Sequence, residues 1–156
     1  KKNINSKGLF EVDYVKGFAM LIDKKKIKKV GLFDENFFLY LEEIDLCKRL
    51  LSSNEKIYGN NYAKIIHLGA KSSNLGFEYE KCKSWHWMWS KFYYNKKHKG
   101  YIISLIKTFP TFVFSFLKYF FYNLFGNYKK KEIYKMRLLG LFNSYLLKKS
   151  FYRPKI

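Results

Sequence analysis

The chain has 156 residues and a formal net charge of +19 at pH 7. This length suits one ordinary domain or a piece of a larger protein, and the chain begins with lysine rather than methionine, as a fragment or a processed product would. Its two cysteines, Cys47 and Cys82, lie far apart, which argues against a disulfide framework and a zinc site. The polar N-terminus leads into no apolar run of the kind that a signal peptide has.

Most of the positive charge lies in the second half of the sequence. Residues 1–80 carry 14 Lys and Arg against 11 Asp and Glu, whereas residues 81–156 carry 17 against a single acid, Glu132. A strongly basic segment predicts an anionic partner, either a lipid surface or a nucleic acid. No nucleic-acid motif accompanies the charge, and long apolar runs do, so we expect an anionic membrane surface and no nucleic acid.

The first third of the chain predicts short elements. The apolar run Phe18–Ile22 is typical of a buried strand. Asp23 is suited to cap a short helix at Lys24–Val30, which Gly31 would end. An aromatic loop should follow at 33–40.

Helical spacing of apolar residues then predicts a helix at Leu41–Ser53. Two short strands are expected, near Lys56–Tyr58 and at Tyr62–His67, with a loop of small residues at Gly69–Gly76. A helix at Tyr79–Lys99 should follow, because its tryptophans and Phe92 recur at helical spacing.

Three carboxylates, Glu42, Glu43 and Asp45, fall within four positions at the start of the predicted helix. On a helix Glu42 and Asp45 share one face, and Glu43 is turned by about 100°. Like charges held close raise one another's pKa, which enzymes use when they need a base or a metal ligand. The alternative is a solvated helix face on which Lys48 and Arg49 pair with the acids.

The last third of the chain combines apolar and basic residues. A helix over Tyr101–Phe125 would be about 37 Å long, enough to cross a hydrocarbon core of ~30 Å. One stripe of this helix is polar and carries two lysines, which favours a helix lying in the membrane interface over one that spans the membrane or packs against protein. This stripe comprises Lys107, Thr111, Ser115, Lys118 and Tyr122. A further amphipathic segment is predicted at Met136–Leu147.

The segment Gly31–Arg49 reads Gly-x-Phe-Asp-Glu-x-Phe-Phe-x-Tyr-x-Glu-Glu-x-Asp-Leu-Cys-x-Arg and resembles the C-terminal half of family 2 glycosyltransferases. The resemblance covers about residues 10–100, from Val15–Ile22 through His67 to Ser90–Gly100, and is nearest to bacterial rhamnosyl- and galactofuranosyltransferases. It implies an α/β fold: the C-terminal part of a GT-A, or nucleotide-diphospho-sugar transferase, domain, followed by amphipathic membrane-associated helices. The expected divisions are 1–78 for the catalytic part, 79–100 for an aromatic linker helix and 101–156 for the basic helices.

The resemblance also implies an inverting sugar transfer that builds surface polysaccharide. The base that takes the acceptor proton corresponds to Glu43, where aspartate is commoner, and Asp45 or Glu42 stays a possible base. His67 corresponds to a histidine that helps bind Mn²⁺ or Mg²⁺ on the leaving diphosphate. The acceptor side would comprise Gly17, Phe33, Asp34 and Phe38.

The family completes its metal site with an Asp-x-Asp motif in an N-terminal half that binds the nucleotide-sugar donor. No Asp-x-Asp occurs in these 156 residues, so we expect the chain alone to be inactive. The acceptor would be a lipid-linked sugar or a glycan, and the location the cytoplasmic face of a bacterial inner membrane. Two alternatives remain: a non-catalytic module that binds membrane surfaces, and a basic nucleic-acid-binding domain.

Overall fold

Two short strands and two helices form the first of two units in the computed structural model, which describes residues 8–68 and 76–154. This first unit comprises residues 8–35 and 42–68, and the second comprises residues 36–41 and 76–154. Strand β1 (Leu9–Glu11) pairs antiparallel with β2 (Tyr58–Asn60). The ring of Phe10 covers its cross-strand partner Gly59, where a side chain would collide with it.

The helices of the first unit confirm two predictions. Helix α1 spans Lys24–Val30 and is capped by Asp23. The Oδ1 atom of Asp23 accepts hydrogen bonds from the backbone N–H groups of Lys25 and Lys26, at 2.8 and 3.3 Å. It ends at Gly31, whose φ of 84° lies in the left-handed region that glycine adopts without strain. Helix α2 spans Glu42–Ser52, and its acidic first turn complements the positive end of the helix dipole.

The predicted strands at Phe18–Ile22 and Tyr62–His67 are wrong, and the one expected near Lys56–Tyr58 lies slightly later, as β2. Both mistaken segments have irregular backbone, and Leu21 is fully exposed. An apolar run becomes a strand only when another strand supplies hydrogen bonds. Among the described residues the sheet has two strands, and neither pairs with these segments.

The second unit is built from three helices that contact one another: α3 (Gly76–Lys99), α4 (Tyr101–Leu124) and α5 (Tyr128–Tyr145). Two buried apolar clusters hold α3 against α5. Their members are Trp85, Trp89 and Met136 in one, and Met88, Phe92 and Leu141 in the other. The helix predicted at Tyr79–Lys99 and the one predicted at Tyr101–Phe125 are therefore confirmed. The amphipathic segment predicted at Met136–Leu147 lies mostly in α5.

Helices α3 and α5 approach each other closely at Gly140. A Cβ atom on this glycine would overlap the backbone carbonyl oxygen of Trp85 and would lie 3.3 Å from the Cβ of Met88. Backbone cannot rotate away as a side chain can, so the absence of a side chain at Gly140 sets the spacing of the two helices.

The loop at residues 36–41 belongs to the second unit, to which hydrogen bonds and ring contacts tie it. The hydroxyl of Ser90 on α3 donates to the carbonyl oxygen of Leu39 at 2.8 Å. That of Ser150 donates to the carbonyl oxygen of Asn36, also at 2.8 Å. The guanidinium of Arg153 stacks 3.7 Å from the ring centre of Phe38.

Helix α4 has its polar side inward and its apolar side outward. Ser104, Thr108 and Ser115 are buried, and the hydroxyl of Ser104 donates to the carbonyl oxygen of Phe92 at 2.8 Å. The opposite side exposes a continuous apolar surface, which we call the α4 apolar face. It consists of Ile102, Ile106, Phe109, Val113, Phe116, Leu117, Phe120 and Leu124. The polar stripe recognised in the sequence therefore packs largely against protein, with Lys107 exposed at its edge.

Candidate active site

The first turn of α2 places the three acids as the sequence predicted, at the N-terminus of a helix. Asp45 is fully buried, and Glu42 and Glu43 are half-buried. The three acids are thus more buried than the charged side chains of a solvated helix face, which stay in water. Each carboxylate must therefore be explained by what surrounds it.

Asp45 is held by an ion pair with Arg49, one helical turn later. The Nε atom of Arg49 donates to Oδ2 of Asp45 at 2.8 Å. The rest of the guanidinium donates to three backbone carbonyl oxygens, those of Val30, Gly31 and Leu32, at 2.6 to 2.8 Å. This geometry uses the planar, forked guanidinium, which lysine cannot imitate. Arg49 thus joins α2 to the end of α1 and fixes the orientation of Asp45.

Glu42 and Glu43 each keep one buried carboxylate oxygen that has no hydrogen-bond partner among the described residues. Burying such an atom without a partner costs free energy, so unpaired buried carboxylate oxygens are rare and are typical of functional sites. Burial raises the pKa of the Glu42 carboxyl above its ordinary value, and the charge of Glu43 raises that pKa further. A carboxyl with a raised pKa exchanges protons closer to neutral pH.

Gly17 lies against Glu43, as expected if the acceptor side and the base belong to one site. A Cβ on Gly17 would be 3.7 Å from the Cβ of Glu43, in ordinary van der Waals contact. Phe33 and Asp34 follow α1 in the loop of the same unit, and the ring of Phe33 is exposed. Phe38 belongs to the second unit, where its ring packs against His86 and Arg153.

His67 is exposed, and its ring stacks on that of Phe18 with the centroids 4.6 Å apart and the planes 11° from parallel. The described residues contain no group of three or more His, Cys, Asp or Glu side chains arranged to hold a metal ion. The carboxylate oxygens of Glu42 and Glu43 are of the type that Mg²⁺ and Mn²⁺ prefer. They do not by themselves make a complete site.

Two curated proteins match part of this chain. The low-salt glycan biosynthesis hexosyltransferase Agl10 of Haloferax volcanii is 34% identical over 56 residues, which cover 36% of this chain and 18% of that protein. The rhamnosyltransferase WbbL of Escherichia coli K12 is 34% identical over 75 residues, covering 48% of this chain and 28% of that protein. The chain is related to glycosyltransferases.

This relationship is partial. The matched part of the chain spans less than a third of either relative. No family model matches the sequence, and no solved structure matches it significantly.

The sequence indicated Arg49 as a partner of the acids on a solvated helix face, whereas the structure shows it bound to the buried Asp45 and to three backbone carbonyl oxygens. The spacing of Asp45 and Arg49, four residues apart on a helix, was the available signal for their ion pair. The three backbone carbonyls that Arg49 also binds lie 17 to 19 positions away along the chain. No local pattern in the sequence indicates contacts of that kind.

Proposed function

We propose that this chain is the acceptor side of an inverting glycosyltransferase of family 2 with a GT-A catalytic domain. The observation that carries the proposal is the pair of buried, unpartnered carboxylate oxygens on Glu42 and Glu43. The partial similarity to a hexosyltransferase and a rhamnosyltransferase supports the same reaction class. The sugar would come from a nucleotide-sugar donor and pass to a lipid-linked or glycan acceptor in surface polysaccharide synthesis.

Glu43 is the proposed general base. An acceptor hydroxyl attacks the anomeric carbon of the donor, and its proton passes to the Glu43 carboxylate. The bond from that carbon to the diphosphate oxygen breaks, and the nucleoside diphosphate leaves with the electron pair. Asp45 is less suited to this role because its carboxylate is fully buried and bound to Arg49. Glu42, with its raised pKa, is the second candidate for the base.

Transfer also needs a donor-binding part with an Asp-x-Asp motif, which this sequence does not contain. We therefore expect the isolated 156-residue chain to transfer no sugar. His67 would contribute one ligand to the Mn²⁺ or Mg²⁺ that the complete site holds, where the metal would neutralise charge on the departing diphosphate. Removing His67 by substitution with alanine should weaken the dependence of donor binding on the metal.

The base assignment is tested in a transferase that includes the donor-binding part. Glu43→Gln removes the base and keeps the shape, so kcat should fall by about 10²- to 10⁴-fold with an unchanged melting temperature. Glu35→Gln is the matched control, because Glu35 is an exposed acid in the same unit, and it should leave kcat unchanged. An active Glu43→Gln enzyme beside an inactive Glu42→Gln or Asp45→Asn enzyme would reassign the base.

We further propose that the second unit binds an anionic membrane surface, at the cytoplasmic face of a bacterial inner membrane. The α4 apolar face supports this, because α4 is long and apolar enough to cross a membrane and most of its apolar side chains are exposed. Lysines cluster near both ends of the helix, at 96–99 and 129–131. With its polar side occupied by α3 and α5, α4 would lie in the interface with its apolar face among acyl chains.

Vesicle sedimentation tests the membrane proposal. Ile106→Asn together with Phe120→Asn should weaken binding to phosphatidylglycerol-containing vesicles by roughly 30- to 1,000-fold, because each removes ~1–2 kcal/mol of apolar burial. Leu9→Asn, an exposed apolar position in the first unit, serves as the control. Binding to duplex DNA with a steep salt dependence, and none to vesicles, would instead support a nucleic-acid-binding domain. Vesicle binding by a complete protein without transferase activity would favour the non-catalytic module.

A further inference from the structure

An open cavity of about 520 Å³ lies in the second unit, whereas the acid cluster belongs to the first. Side chains from α3 and α5 line it, together with Tyr40 from the loop at residues 36–41. Its volume is within the usual range for pockets that bind small molecules, roughly 300–1,000 Å³. Met88 and Ile133 give it an apolar part, and its remaining lining is aromatic or polar.

Trp87 supplies the main aromatic surface of this cavity. It is the middle member of an alternating series in which Trp85 and Trp89 are buried in the helical core. Residues four apart share a helix face and the residue between them lies opposite, so Trp87 is directed away from that core. Its side chain is 43% exposed, and the ring of Tyr40 meets it edge-on, with centroids 5.4 Å apart and planes at 90°.

Backbone strain accompanies this aromatic pair. Tyr40 has a φ of 69°, in the left-handed region that residues with side chains rarely adopt. Such a conformation costs on the order of 1 kcal/mol or more and persists where the surroundings enforce it, frequently at binding sites. Here the strained residue is the one whose ring contacts Trp87.

The polar lining offers hydrogen-bonding groups of both charges. Glu80, Lys83 and Ser84, three and four residues apart on one face of α3, contribute from that helix, and Arg137 contributes from α5. The Nε–H group of Arg137 is buried and has no hydrogen-bond partner in the described part of the chain. The guanidinium of Arg137 lies over the ring of Tyr134, 5.2 Å from its centre, which holds this cation at the wall of the cavity.

We infer that this cavity is a saccharide-binding subsite. A sugar ring presents an apolar C–H face and a rim of hydroxyls, which match the exposed indole of Trp87 and the charged donors and acceptors around it. A sugar hydroxyl can accept a hydrogen bond from Lys83 or Arg137 and donate one to Glu80, whereas a purely anionic ligand would leave Glu80 without a donor. Identification of the sugar as part of the acceptor glycan rests on the proposed function, whereas the capacity to bind sugar does not.

Ligand-detected NMR titration of the full chain with methyl glycosides of glucose, galactose, mannose, rhamnose and N-acetylglucosamine tests the inference. At least one member of this panel should bind. Trp87→Ala should weaken its binding about tenfold or more, Arg137→Gln should do the same, and Trp87→Phe should retain most of the affinity because an aromatic face remains. Tyr128→Ala, which removes another exposed aromatic ring from the same unit, should bind as the unaltered chain does.

Three outcomes would overturn the inference. They are no binding by any member of the panel, unchanged binding by a folded Trp87→Ala chain, and competition of inorganic phosphate with the sugar, which would assign an anion site. The titration contains no donor or metal, so it is independent of catalysis. If the chain binds sugar and the Glu43→Gln transferase stays active, the catalytic proposal alone is refuted. If the chain binds no sugar and the Glu43→Gln transferase is inactive, the subsite alone is refuted.

Discussion

Substituting Gly140 with alanine tests how closely α3 and α5 pack. The added Cβ would overlap the carbonyl oxygen of Trp85 and would lie 3.1 Å from its carbonyl carbon. Because the obstacle is backbone, the clash can be relieved only by moving one helix away from the other, by roughly an ångström. Gly140→Ala should therefore destabilise the second unit, although alanine is the better helix former.

The size of the effect follows from two opposing contributions. Separating the helices loosens both buried clusters between α3 and α5, and overpacking of this kind typically costs about 1–3 kcal/mol, occasionally more. The higher helix propensity of alanine returns about 1 kcal/mol. Contact with rigid backbone places the cost at the upper end, so we expect a net loss of about 2 kcal/mol. For a unit of this size that corresponds to a fall of roughly 8–16 °C in melting temperature.

Thermal unfolding followed by circular dichroism measures this loss. Asn143→Ala is the matched control on the same helix, because it raises helix propensity without bringing a new atom against α3. The Gly140→Ala protein should also bind sugar more weakly, since α3 and α5 both line the cavity. A Gly140→Ala protein that melts at or above the temperature of the unaltered chain would refute the close approach.

Two further predictions concern stability. Burial lowers the pKa of His86 to about 4, so the unfolded chain takes up this proton near pH 6.5 and the folded chain only near pH 4. The free energy of unfolding should then fall by about 3 kcal/mol as pH drops through this window. Denaturant titrations at pH 7 and 4 measure it, and His86→Gln, which keeps a donor, should lose much of this dependence. Arg49→Lys should destabilise the first unit by about 3 kcal/mol in denaturant unfolding, because lysine cannot bind Asp45 and three carbonyls together. An unchanged midpoint would refute that role.

The local features of this chain could be predicted from sequence alone. Asp23 and Gly31 bound α1 because capping and a positive φ depend on residue type at single positions. The helical spacing of apolar residues located α2, α3 and α4. It also placed Glu42, Glu43 and Asp45 in the first turn of one helix, where the structure has them.

Contacts between distant residues could not be predicted in this way. The apolar runs at Phe18–Ile22 and Tyr62–His67 read as strands, but strand formation depends on a partner elsewhere in the chain. Which of the three alternating tryptophans faces a cavity depends on where α5 packs.

Helical periodicity determined that α4 has two unlike faces, because each residue adds a fixed rotation about the axis. Only tertiary packing decided which face turns inward. Ser104, Thr108 and Ser115 are small enough for α3 and α5 to approach, and the hydroxyls of Ser104 and Thr108 donate to backbone carbonyl oxygens, so the polar side is buried and the large apolar side chains are left outside. The sequence thus determined the composition of the exposed surface, and the neighbouring helices determined its direction.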